Sequence, residues 1–156
     1  GKGSSVPQSG LLILVLAVTG LTACNRSPSA RIEGVLDRCA DIDRQANNMN
    51  LDEASRAHYI AASFQEIDVS GCPADFRVAF QDHVNAWQQF QMAASNNNLL
   101  NNVIVGAVAG MTNDPSGIGQ IQIEEAAARY AVNRTYYRLT EIAAEYGARI
   151  PTAEVR

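Results

Sequence analysis

Cys72–Ala94 reads CPADFRVAFQDHVNAWQQFQMAA, and Phe76, Phe80, His83, Val84, Trp87, Phe90 and Ala94 recur in it at steps that keep one side of a helix. At 3.6 residues per turn these positions form a single stripe, the pattern of an amphipathic helix. They include the bulkiest groups in the chain, so this helix is expected to form the centre of the core. Cys72-Pro73 opens it. Proline suits a first helical position, where its missing N–H is no loss, and Asp75 places negative charge at the favourable end of the dipole.

Upstream, Ala57, Ile60, Ala61, Phe64 and Ile67 mark a second helix that stops at Ser70-Gly71. Asn50 with Glu53 three residues on resembles a capping box for its start, with Asp52 also in the first turn. Further upstream, Ile32, Val35, Leu36, Cys39, Ile42, Ala46 and Met49 keep the same period, while Asp37, Arg38, Asp41 and Arg44 fill the opposite face. Downstream, Asn96-Asn97-Asn98 is a weak point. Leu99–Met111, LLNNVIVGAVAGM, either continues the helix or loops, and Asn113-Asp114-Pro115-Ser116-Gly117 forces a turn. The last helix carries Ala128, Val132, Tyr136, Leu139, Ala143 and Tyr146 on its inner line and Tyr130 and Tyr137 on a second face, with Gly147 as C-terminal cap and Pro151 beyond. Only Ile121-Gln122-Ile123 alternates as a strand would. The expected fold is all-α, an irregular four-helix bundle over residues 31–150 followed by a tail at 151–156.

The N-terminal part is different in kind. Leu11–Ala23 is an uncharged apolar run of 13 residues. As a helix it would span about 20 Å, short of the ~30 Å hydrocarbon core, which is the length of a signal-peptide h-region. It closes on Leu21-Thr22-Ala23-Cys24, which resembles the lipobox of bacterial lipoproteins. The resemblance implies that residues 1–23 are a removed signal peptide, that Leu21, Thr22 and Ala23 are the recognition positions, and that Cys24 carries covalent lipid. Residues 24–30 would then be a lipidated tether. Asn25, in place of an Asp that favours inner-membrane retention, leans toward the outer membrane and the periplasm. Each buried CH₂ contributes about 0.8 kcal/mol, so several acyl chains make a durable anchor. The run Cys72-Pro73-x-x-Phe76-Arg77, followed by His83-x-x-Ala86-Trp87, resembles small exported helical proteins to which no activity is attached.

Without residues 1–23 the chain has eleven arginines and no lysine against sixteen acidic residues, a net charge near −5. That balance argues against nucleic acid as a partner and against electrostatic docking on anionic lipid, because no basic face is available. An exported protein folds in an oxidising compartment, so the remaining pair, Cys39 and Cys72, is expected to form a disulfide. Closing that loop of about 33 residues would stabilise the fold by roughly 3–4 kcal/mol. A metal pair would need a CxxC motif or clustered histidines, and the chain has neither.

The residues available for chemistry are few. His83 lies on the apolar stripe, as a buried histidine bonded to a neighbouring helix or as a ligand or proton carrier. His58 sits on a polar face. Asp41-x-Asp43 is a weak cation pair without a third oxygen. No Glu-x-x-His pair, no nucleophile elbow and no phosphate loop occurs, so no enzyme, metal or cofactor is expected beyond the lipid on Cys24. Val103, Gly106 and Gly110 lie in an apolar segment with Gly-x-x-x-Gly spacing, which permits close helix contact and marks a candidate interaction segment. The leading expectation is an anchored protein that binds another envelope protein. The alternative is a small-molecule module with Phe80, His83, Trp87, Tyr130 and Tyr137 around a pocket between helices.

Overall fold

The computed structural model describes residues 26–107 and 115–152 besides Gly1, with residues 100–107 and 115–118 described by their backbone. Cys24 with Leu21, Thr22 and Ala23, Gly110, and the end of the tail lie outside the described residues. Among the described residues there are four helices: α1 Pro28–Asn48, α2 Glu53–Gln65, α3 Ala74–Ala107 and α4 Pro115–Glu145. No described residue is in a strand. The protein is an all-α bundle in which α3 packs extensively on α4 and α2, while α1 lies on α2 and more narrowly on α4.

Helix α1 starts where Ser27 accepts the Ala30 N–H at 3.2 Å with Pro28 in the first turn. Its expected stripe, Ile32, Val35, Leu36, Cys39, Ile42 and Ala46, is buried, whereas Met49 is exposed. The cap of α2 is not Asn50. Asn50 has φ 50°, the left-handed conformation that asparagine tolerates, and there it turns the chain. Asp52 takes the cap instead, accepting the Ser55 N–H at 2.8 Å, and Glu53 is freed to pair with Arg129 on α4. Helix α2 also ends two residues before Ile67, which remains packed against the core from the following turn.

The aromatic stripe of α3 is the centre of the core: Phe76 is fully buried, with Phe80, His83, Val84 and Phe90 behind it. The helix runs 34 residues, about 51 Å, straight through Asn96-Asn97-Asn98. Asn97 does not compete for its own backbone, because its side-chain amide donates to Glu125 on α4. Helices α3 and α4 are antiparallel, and four cross-contacts mark their register: Tyr146 to Asp75, Thr135 to His83, Arg129 over the Phe90 ring, and Asn97 to Glu125.

Helix α4 ends in the cap expected at Gly147. The Ala148 N–H reaches the Ala143 carbonyl at 3.0 Å and the Gly147 N–H reaches Ala144 at 2.9 Å, the paired bonds of a Schellman motif. Gly147 sits at φ +69°, so Gly147→Ala is expected to cost about 1 kcal/mol in urea unfolding, and no change would contradict the cap. Beyond it, the Arg149 N–H bonds to Glu33 at 2.8 Å and its guanidinium to Asp37 at 3.0 Å, fastening the end of α4 to the first half of α1.

The expected disulfide is absent. Cys39 and Cys72 are both buried free thiols. A disulfide requires Cα atoms within about 7 Å. Cys39 and Cys72 are both in the core cluster, but their sulfurs are not bonded to each other. Burial raises both thiols above their ordinary range, Cys39 to about 12. Reductant is therefore expected to leave the melting temperature unchanged, and maleimide mapping of the native protein to leave Cys39 unlabelled. A loss of several kcal/mol on reduction would restore the cystine.

Candidate functional site

Of the residues expected around an aromatic pocket, the fold brings three together. Phe80, His83 and Trp87 meet Phe64 of α2 and Tyr136 of α4, with the His83 ring 5.8 Å from Phe64 and 5.7 Å from Tyr136. Tyr130 and Tyr137 lie on the outward side of α4, 68% and 67% exposed, and do not join them.

His83 is the buried polar residue of this cluster, and both of its ring nitrogens are engaged. Trp87 donates its indole N–H to Nε2 at 3.2 Å. Nε2 is thus the acceptor, the proton sits on Nδ1, and Nδ1–H donates to the Thr135 hydroxyl at 2.9 Å. Thr135 in turn donates to the Ala131 carbonyl at 2.8 Å. The relay spans α3 and α4 and is satisfied only by the neutral imidazole. Burial lowers the His83 pKa to about 4. This is a buried tie between helices. His58 is exposed on α2. Asp41 and Asp43 pair with Arg44 and Arg56, so the two carboxylates are engaged separately.

A second site went unread in the sequence. A cavity of about 540 Å³ opens between the first half of α1 and the connection from α2 to α3, lined by Arg26, Arg31, Arg38, Glu66, Asp68 and Gly71 among others. Arg31 is held at its wall: Nη1 donates to the Gly71 carbonyl at 2.7 Å and Nε to the Arg26 carbonyl at 3.1 Å. A Cβ on Gly71 would lie 2.8 Å from Arg31 Nη1, so only glycine admits the guanidinium to this corner. Hydrogen bonds from Ser70 lower the Asp68 pKa and keep its carboxylate ionised. The available signal was Arg31 itself, a cation in the first turn of a helix with no acidic residue there, against the dipole.

The third feature is the far end of the α3–α4 pair. Ala94 is the last buried side chain described on α3 and Val132 the first on α4. Beyond them the two helices continue as an arm, with residues 95–107 of α3 adding about 20 Å. Met92 and Leu99 are 59% and 64% exposed, and Ile123 is 64% exposed. These side chains, with Tyr130, repeat at seven residues on each helix, and the antiparallel register puts Leu99 near the level of Ile123. Val103 and Gly106 lie within the helical part of this arm. Among the described residues no helix is long and apolar enough to cross a membrane. Comparison with protein-family models, with curated proteins and with solved structures finds no match.

Proposed function

We propose that the chain is a lipid-anchored cell-envelope protein whose helical domain binds another envelope protein through the α3–α4 arm. The observation that carries the reading is the arm's unpartnered apolar surface. Met92, Leu99, Ile123 and Tyr130 are all large and exposed on the two helices. Exposed apolar side chains favour association, and seven-residue spacing on neighbouring helices suits packing against another helix. The anchor rests on the residues Leu21–Cys24 and the short apolar run before them.

The test is cross-linking and capture from the native envelope with the full-length protein and with a Leu99→Glu, Ile123→Lys double variant. Reproducible capture of one envelope protein by the wild type, lost in the variant, supports the reading. The same capture by both, or none by either, defeats it. Mass spectrometry of the same material addresses the anchor separately: a mature chain beginning at an acylated Cys24 is expected, and an intact unacylated leader would remove it.

A further inference from the structure

We propose that the cavity between α1 and the α2–α3 connection binds a zwitterionic phosphate ester, with its phosphate on the arginines and an ammonium group facing Glu66 and Asp68. Five arginines elsewhere are matched to carboxylates: Arg44, Arg56, Arg129, Arg138 and Arg149. Arg26, Arg38, Arg77 and Arg134 make no ion pair among the described residues, and of these Arg26 and Arg38 line this cavity beside Arg31. The guanidinium groups of Arg26 and Arg38 beside that of Arg31 concentrate positive charge around one space, which favours an anion there. Arginine's planar fork suits phosphate oxygens, which it can bind in pairs.

Arg31 is prepared for this role before any ligand arrives. Two backbone carbonyls hold its guanidinium at the wall, and Gly71 supplies the clearance they require. Fixing a cation in place reduces the ordering cost of binding. The two carboxylates decide against a simple anion. Glu66 and Asp68 share the lining, so a bare phosphate would meet repulsion, whereas a phosphate ester bearing an ammonium group matches both signs. A cavity of about 540 Å³ is ample for such a molecule. The ester could be a lipid headgroup or a free phosphorylated amine, and the inference does not depend on the anchor.

The test is calorimetric titration of the full chain in detergent with O-phosphoethanolamine, inorganic phosphate and a short-chain phosphatidylethanolamine below its micelle concentration. Saturable binding of O-phosphoethanolamine, tighter than inorganic phosphate, is expected. Arg31→Gln should weaken it about tenfold or more, the loss of a charge-assisted hydrogen bond. Gly71→Ala should weaken it comparably while leaving every charge present, since only the flexible end of Arg31 has to move and the fold survives. Arg138→Gln, an exposed arginine outside the cavity lining, should change nothing. Tighter binding of the short-chain lipid would identify a headgroup, and equal binding the free ester. Either outcome supports the site. No saturable binding, equal affinity for inorganic phosphate, or binding unchanged by Arg31→Gln and Gly71→Ala would overturn it. Because these titrations need no acylated Cys24, they can succeed where the anchored-protein reading fails.

Discussion

Lowering the pH from 7 to 4 is expected to remove about 3 kcal/mol of stability through His83 alone. The unfolded chain takes up a proton on this residue near the ordinary value of about 6.5, whereas the folded protein does so only near 4. Between those values the unfolded state binds the extra proton. Each unit of falling pH therefore favours unfolding by about 1.4 kcal/mol; the contribution is constant above 6.5 and levels off below 4. The geometry gives the same sign. A second ring proton would sit on Nε2, pointing at the Trp87 N–H that already donates there. The other faces of the ring meet Phe64, Tyr136 and the Thr135 hydroxyl, and no hydrogen-bonded carboxylate is present to hold an imidazolium. Urea unfolding at pH 7.5, 6.0 and 4.5 measures the slope. His83→Gln should cost about 1–3 kcal/mol at pH 7.5 and flatten the dependence between 6.5 and 4.5. Parallel slopes in the two proteins would refute the assignment.

Phe76→Ala is expected to cost about 3–5 kcal/mol, enough to unfold much of a domain whose total stability is of order 5–15 kcal/mol. Phe76 is fully buried at the start of α3, stacked on Phe80 with ring centroids 6.5 Å apart. It lies in the same cluster as Ile32 and Leu36 of α1 and Leu139 of α4. Truncation leaves a cavity that the first turns of α1 and α3 and the last turns of α4 would all have to close. Tyr137→Ala on the outward face is the matched control and should fall within about 0.5 kcal/mol of wild type. A urea midpoint that hardly moves for Phe76→Ala would mean that this end of α3 is not where the bundle is held.

How much of this was legible depends on the physics each residue reports. Helical periodicity is a local signal. It identified the stripes of α1 and α3, and the single-residue logic of a positive-φ glycine identified Gly147. The same stripe placed His83 inside, and its tie to Thr135 follows because a buried imidazole needs partners. Where two local signals competed, the wrong one was favoured. Asn50 and Asp52 both suit a cap, and only the direction of the chain after α1 decides that Asn50 turns while Asp52 caps. The helix through Asn96–Asn98 depends on Glu125, which lies far along the chain and cannot be read from the run itself. The cysteine pairing failed for a related reason: compartment and an even count are compatible with a cystine, but the distance between the thiols is set by how the corner at Gly71 packs on α1. The arginine-lined cavity was invisible because Arg26, Arg31 and Arg38 look like scattered surface charge until Gly71 folds against them.

The fastening of Arg149 to Glu33 and Asp37 joins residues 116 and 112 positions apart. Loops of that size carry a large entropy of closure, while the α3–α4 hairpin can zip from neighbours. The contacts of α1 with α2 are also local, 13 and 14 residues apart, so the fastening of α1 to α4 is the step expected to close last. Until that moment the side of Leu139 and Ile142 that α1 will cover stays wet, so the protein's most vulnerable interval comes at the end of its maturation rather than the beginning.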